Sequence, residues 1–271
     1  MRSRSVPMTR DEFRLQPFDP AWKQSWKEGV AQFTPRPLLV YATLPLTNPP
    51  FRDSDDVRIV RASDQKELTE CFHAAFADSF EYCDYSPGKI RGEAKKNIAE
   101  YFGGQRGEPL DASRVTLDRT SNRPTGAALF TGFDAHVAKL EMLFVHPKRQ
   151  RTGLATRLVA GSLHSLAKAG YQTLLSTFML GNQTSRRWHQ RFGFNEEPDL
   201  QLATLHLKRL HSMRFLQQHA SSAAPAEEAL LGTSIRHWET EVTRLESALA
   251  QGRDTDAYAW MRFRIFSDRP A

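Results

Sequence analysis

Apolar side chains along the middle of this chain follow two rhythms. Leu68, Cys71, Phe72, Ala75, Phe76 and Phe80 recur at the helical period, after Ser63-Asp64-Gln65-Lys66-Glu67, which offers an N-cap and a first-turn acid. Ile90, Ala94, Ile98 and Tyr101 predict a second helix, ended by Gly103-Gly104. Leu154, Leu158, Val159, Leu163 and Leu166 share one face of a third, running from Gly153 to near Ala169 and closed by Gly170. A short fourth covers Ser185–Phe192 and stops at Gly193. Between them, Val57–Arg61, Arg114–Arg119, Gly126–Phe133, Lys139–Val145, Gln172–Met179 and Leu200–Leu207 read as strands. The order over 57–210 is therefore strand, two helices, three strands, helix, strand, helix, strand.

The two ends carry weaker patterns. A short helix is expected near Ala21–Gln32 and a strand over Pro37–Leu44, with Pro49-Pro50 and Asp53–Asp56 as a linker. After 210 a helix runs through about Gln218, followed by a small-residue linker at Ser221–Ala226. From Pro225, the positions Leu231, Ile235, Trp238, Val242, Leu245 and Leu249 repeat every seven residues over fewer than three heptads. That stripe suits packing on the chain's own domain, or a helix that pairs two copies into a homodimer. Tyr258–Phe266 alternates as a last strand. The division expected is an N-terminal extension (1–56), a central domain (57–210) and a C-terminal extension (211–271).

Composition narrows the class. With 40% apolar and 25% charged residues among 271, the chain can bury a core. No apolar run approaches the roughly 18 residues of a membrane helix, and Asp11-Glu12 stand where a signal peptide needs an apolar stretch. Cys71 and Cys83 alone support neither a disulfide framework nor a cysteine-based zinc cluster, so no metal is expected and the location expected is cytoplasmic. The net charge of +6 is confined to 57–210, which holds 22 basic against 16 acidic side chains. Part of the excess is Lys148, Arg149, Arg151 and Arg157. The run lacks interleaved aromatics, which disfavours nucleic acid as the partner and leaves a solvated face or a phosphorylated ligand.

The stretch from Lys139 to Phe194 is the most informative. A strand leads into Val145-His146-Pro147-Lys148-Arg149 and Gln150-Arg151-Thr152-Gly153-Leu154-Ala155, and then a helix begins. Unpaired N–H groups at a helix start attract phosphate, and Gly153 and Ala155 would let phosphate oxygens approach the backbone. It is neither a Walker loop nor a dinucleotide fingerprint, because Gly-Lys-Ser/Thr and the three spaced glycines are missing.

Gln150, Gly153 and Ala155, placed after Leu143-Phe144-Val145-His146-Pro147, resemble the Gln-x-x-Gly-x-Gly/Ala loop of the GNAT acetyltransferase superfamily. Downstream, Asn182 and Ser185-Arg186-Arg187-Trp188-His189-Gln190-Arg191-Phe192-Gly193-Phe194 are similar to that family's Asn-x-x-Ala-x-x-Phe-Tyr-x-x-x-Gly-Phe segment. The resemblance covers about 150 residues. Ser185 replaces the usual Ala, and His189 stands where many members carry a Tyr.

The resemblance implies an α/β (α+β) fold: a single mixed, mostly antiparallel sheet with a central V-shaped splay, flanked by helices, here with N- and C-terminal extensions. It implies acetyl-CoA as cosubstrate and direct acetyl transfer to a primary amine, on a small molecule or a protein, within a ternary complex. Gln150, Arg151, Thr152, Gly153, Leu154 and Ala155 would hold the diphosphate. Leu143, Phe144 and Val145 would offer a freed strand edge to the pantetheine arm, and Asn182 and Ser185 would add contacts. Glu141, two residues before Leu143, is the candidate base, with a paired strand-surface carboxylate as its alternative. His189 is the candidate proton donor to the thiolate. The connection between the first two helices would choose the acceptor, and Glu81, Tyr82 and Tyr85 there suit a cationic amine. Two other readings stay open: a non-catalytic CoA-binding or regulatory module, and an interaction protein with a basic middle.

Overall fold

A computed structural model of the chain describes residues 3–47, 57–118, 120–220 and 225–264. In chain order the elements are β1 (Arg4–Pro7), α1 (Arg10–Arg14), β2 (Trp22–Lys27), β3 (Val30–Pro35), β4 (Leu39–Pro45), β5 (Val57–Ile59), α2 (Gln65–Phe76), α3 (Pro87–Phe102), β6 (Arg114–Leu117), β7 (Pro124–Gly132), β8 (Val137–Val145), α4 (Leu154–Lys168), β9 (Thr173–Met179), α5 (Gln183–Phe192), β10 (Asn195–Glu196), α6 (Leu200–Ala220), α7 (Pro225–Ala250), α8 (Asp254–Ala257) and α9 (Ala259–Arg264). They fall into two compact units, one of residues 41–178 and 184–196, the other of 2–40, 179–183 and 197–271. The boundaries differ from those expected at 56 and 210, because β4 joins the main sheet and the chain leaves the first unit at Glu197. The expected linker at Pro49-Pro50 and Asp53–Asp56 lies outside the described residues.

The first unit is framed by a seven-stranded sheet in the order β10-β4-β9-β8-β7-β6-β5. The described ladders are antiparallel from β5 through β8 and between β10 and β4, while β8 and β9 run parallel. Successive residues of β7 face opposite sides. Ala127 and Leu129 join a core with Leu68, Cys71 and Phe72 of α2 and Ala94, Ile98 and Tyr101 of α3. On the other side, a Cβ on Gly126 would meet Leu158 of α4 at 3.3 Å. Covered on both faces, β7 buries Pro124 through Thr131 without a break. Fully burying a large apolar side chain stabilises by roughly 1.5–3 kcal/mol, so this strand and its neighbours hold the unit together.

Two irregularities shape the middle of the sheet. The β8–β9 pairing spans Val137↔Thr173 to Leu140↔Ser176 and goes no further, so the two strands part from Glu141 onward. On the opposite edge of β8, Leu129 pairs with Met142 but Phe130 pairs with Leu140. Glu141 is thus the extra residue of a β-bulge, placed where the parallel pair opens.

The second unit departs from the sequence reading in three places. The helix expected at Ala21–Gln32 is a hairpin of β2 and β3, which with β1 forms a sheet in the order β1-β3-β2. Glu28 (φ 50°) and Gly29 (φ 81°) supply the two left-handed residues of a two-residue hairpin turn, and the alternating burial of β2 follows from it. The strand expected at Leu200–Leu207 is the start of α6. Asp199 Oδ1 accepts from the Leu202 amide at 2.8 Å, and Leu202, Ala203 and His206 bury one helical face. The strand expected at Tyr258–Phe266 is helical through α9, with its last two residues outside the described ones. In α7, Leu231, Ile235 and Leu245 are buried. Its Trp238 stacks on His206 of α6 at 4.8 Å, so a helix of the same unit covers part of the heptad stripe. Among the described residues no helix is long and apolar enough to cross a membrane.

Candidate functional site

Past Val145, Pro147–Arg149 makes one 3-10 turn, and Gln150 folds its side chain back so that Nε2 donates to the Val145 carbonyl at 3.1 Å. Thr152 Oγ1 donates to the Arg149 carbonyl at 2.8 Å. Arg151 (φ 61°) and Gly153 (φ 77°) both adopt left-handed backbone. For a residue with a Cβ that conformation costs roughly 1–2 kcal/mol, and Gly153 escapes the penalty. A Cβ built on Gly153 would meet nothing within 4 Å, so packing does not require glycine there. The backbone turn requires it, and the space in front stays clear. Helix α4 starts immediately, with no side-chain cap on its first amides, and Leu154 anchors the turn from below at 2% exposure. Lys148, Arg149 and Arg151 are exposed around it. The arrangement is a main-chain cradle with positive potential, suited to a diphosphate.

The strand leading into this cradle has a main-chain edge with no β9 partner beyond Leu140. Phe144 sends its ring into the core, against Phe72 at 5.3 Å between centroids, so that its backbone and not its side chain serves the edge. Val145 is buried and Leu143 half-buried.

Helix α5 holds His189, the residue expected to donate a proton to the thiolate. His189 is 3% exposed. Its Nδ1–H donates to the Ser185 carbonyl at 2.8 Å, and Nε2 accepts from the Ser176 hydroxyl at 2.8 Å. Phe178 lies against the ring at 4.6 Å, with Trp188 and Phe194 edge-on. Burial pushes its pKa down to about 4, which leaves the ring neutral at pH 7. A neutral imidazole with both nitrogens committed does not suit a proton donor. It is instead a hydrogen-bonded core residue that ties α5 to β9. Ser185 lies in the first turns of α5, its carbonyl on His189. Asn182 lies in the turn before α5, its amide donating to the Met179 carbonyl at 2.8 Å. Trp188, which the sequence reading did not single out, donates through Nε1 to Thr156 Oγ1 at 3.2 Å and links α5 to the first turn of α4.

Glu141, on the bulge, is 5% exposed at its side chain and sits between two cations. Lys139 Nζ is 2.6 Å away and Arg106 Nη1 is 3.6 Å away. Arg106 also pairs with Glu100 at 2.9 Å and donates to Asn97 Oδ1. Asn97 Nδ2 in turn donates to the Tyr82 hydroxyl at 3.3 Å. The structure therefore brings Glu141 and Tyr82, read separately in the sequence, into one network. Lys139 was legible, two residues before Glu141 on the same strand. Arg106 was not, since it belongs to the Gly103–Gly107 turn after α3 and no periodicity points it at β8.

The turn expected to face the acceptor is Phe80–Tyr85, opened by a 3-10 turn over Phe80–Tyr82. Tyr82 packs against Phe76 at 5.8 Å and Tyr85 at 5.4 Å, and burial pushes its phenol up to about 12. Lys89 Nζ sits 3.6 Å over the Tyr85 ring, so that aromatic face already holds an ammonium of the chain itself. Glu81 and Cys83 are half-buried beside it. Burial and the neighbouring Asp84 push the Cys83 thiol pKa up, which makes it a poor nucleophile. Among the described residues no group of three or more His, Cys, Asp or Glu side chains could hold a metal.

Residues 69–194 match the model of the acetyltransferase (GNAT) family. They form a GNAT domain. The cradle, the opened strand pair and the bulge all lie within it. A Drosophila protein of solved structure is similar at 16% identity over 58% of this chain and 47% of its own, with a TM-score of 0.40. The present chain thus spans about half the length of that protein. An N-acetyltransferase from Thermoplasma acidophilum, solved with coenzyme A, is similar at 15% identity over 54% of this chain and 94% of its own, at a TM-score of 0.43. A GNAT-family acetyltransferase from Brucella melitensis, solved with acetyl-CoA, is similar at 24% identity over 51% and 81%, at 0.39. The matched residues hold β6 to β9 of the mixed sheet, while β4, β5 and β10 and both ends of the chain lie beyond them.

Proposed function

We propose that this chain transfers an acetyl group from acetyl-CoA to a primary amine, directly, with both substrates bound together. The observation that carries the reading is the cradle of 150–155. It combines a left-handed glycine with open space before it, an uncapped helix start, and an adjoining strand edge that has lost its sheet partner. The amides of Arg151 to Ala155 hold the diphosphate. The edge at Leu143–Val145 takes the pantetheine amides, and a freed N–H near Phe144 faces the oxygen on which negative charge develops. One such donor is worth roughly 10²–10³ in rate in other enzymes. Asn182 and Ser185 add polar contacts to the arm.

Glu141 takes the proton that the amine must lose, directly or through water. Tyr82 and Glu81 border the acceptor. Tyr85 joins them only when Lys89 gives up its ring. The thiolate leaves without His189: a model thiol has a pKa near 8.5, so water suffices to protonate it.

The commitment of His189 to the core, and of Glu141 to two cations, also favours a second reading, a module that binds CoA without turnover. Release of free thiol from acetyl-CoA in the presence of an amine panel separates the two. Turnover on any amine supports transfer. Thermal stabilisation by CoA with no thiol released on every amine supports the module.

A further inference from the structure

Arg106 reaches Glu141, Glu100 and Asn97 from the turn after α3. The turn that presents it is fastened to the end of β7: Leu110 N–H donates to the Phe130 carbonyl at 2.9 Å, and Gly132 N–H to the Glu108 carbonyl at 3.0 Å. Gly107 (φ 105°) allows this approach, since a Cβ there would come within 2.8 Å of the Gly132 carbonyl. The strand that fixes the turn is the one whose Leu129 and Phe130 flank the bulge. The turn that carries Arg106 and the bulge that carries Glu141 are thus both fastened to β7.

We propose that Arg106 is a positioning residue for acetyl transfer, bridging Glu141 at the bulge to Asn97 and hence to Tyr82 on the acceptor side. The inference rests on the acetyltransferase reading above. A planar fork with five donors can serve Glu141, Glu100 and the Asn97 carbonyl oxygen together, whereas a lysine offers a single point charge. By occupying Asn97 Oδ1, Arg106 fixes which way the amide points, so that Nδ2 is directed to the Tyr82 hydroxyl and, at 2.8 Å, to the Glu93 carbonyl. The same guanidinium stands between the carboxylates of Glu100 and Glu141. The charged groups facing this cluster are Lys139 on β8, Glu100 and Lys96 on α3, and Glu81 and Glu93, which act on Tyr82. Without Arg106 the two carboxylates lose their shared counter-charge. Asn97 likewise loses the donor that fixes its amide toward Tyr82.

The test compares Arg106→Met and Arg106→Lys with the unaltered chain. CoA affinity is measured by calorimetry, kcat and KM with an amine found by the panel, and stability by the melting temperature. Arg106→Met is expected to keep CoA affinity, to lower kcat about tenfold and to raise KM for the amine. Arg106→Lys is expected to recover part of kcat while KM for the amine stays raised, because charge returns without the fork. Should Arg106→Met fail to fold, Arg106→Lys carries the test alone through its raised amine KM. An unchanged kcat and amine KM in Arg106→Met, or a wild-type amine KM in Arg106→Lys, overturns the inference and leaves the acetyltransferase reading standing. So does a parallel fall of CoA affinity, kcat and melting temperature in both variants, which is the mark of a merely structural role. An unaltered chain that binds CoA and turns over no amine overturns the reading and the inference together.

Discussion

The cradle at 150–155 and the network around Glu141 are built by opposite means. The cradle is main chain: a contiguous turn, two left-handed residues and the first amides of α4, with side chains such as Gln150 and Thr152 serving only to brace it. The network is side chain: Glu141, Lys139, Arg106, Glu100, Asn97 and Tyr82 reach one another from a strand, a turn, a helix and a 3-10 turn. A site of the first kind tolerates any side chain that leaves the backbone turn intact. A site of the second kind depends on each partner. On the proposed function, affinity for CoA would reside in the first and rate in the second.

The largest effect is expected on the side-chain half. Glu141→Gln should lower kcat by about a hundredfold or more while CoA affinity stays near that of the unaltered chain, as steady-state rates and calorimetry would read. A fall in affinity with kcat intact would reverse the assignment of roles. Next comes His189, whose core position makes it a stability residue. Its folded-state pKa of about 4 lies below the reference value of 6.5, so its contribution is complete above pH 6.5 and is lost as pH falls toward 4. The full span is worth up to about 3 kcal/mol, and denaturant titrations across that range should show it, with His189→Gln flattening the slope. If the slope persists in His189→Gln, the ring is not buried neutral.

On the main-chain half, Gly153→Val should weaken CoA binding about tenfold, through the left-handed backbone penalty and a branched side chain in the cleared space. Far-ultraviolet circular dichroism would remain unchanged. The smallest effect is expected from Thr152→Ala, a few-fold in CoA affinity, because it removes one exposed bracing hydrogen bond worth roughly 1 kcal/mol. A larger loss there than at Gly153 would mean that side chains and not the backbone carry the cradle.

The same contrast explains what could be read in advance. The cradle was legible because its signals are consecutive: strand, Pro147, Gly153 and an amphipathic helix. The central strands and α2 to α5 were legible from period alone. Leu200-Gln201-Leu202-Ala203-Thr204-Leu205-His206-Leu207 was not, since its leucines satisfy both a two-residue and a helical period, and Asp199 as a cap decides for the helix. At the N-terminus Glu28-Gly29 is a weaker turn signal than Asn-Gly or Asp-Gly, and its two left-handed residues are evident only in the fold. The Glu141 network had no sequence signal beyond Lys139, because Arg106 meets Glu141 only after β7 and β8 have paired.

Amide chemical shifts followed during titration with coenzyme A test the account most directly. The largest changes are expected at the backbone N–H groups of Arg151 through Ala155 and along Leu143–Val145, with the amides around Arg106 little moved. Saturable binding that leaves those loop amides unshifted would contradict it.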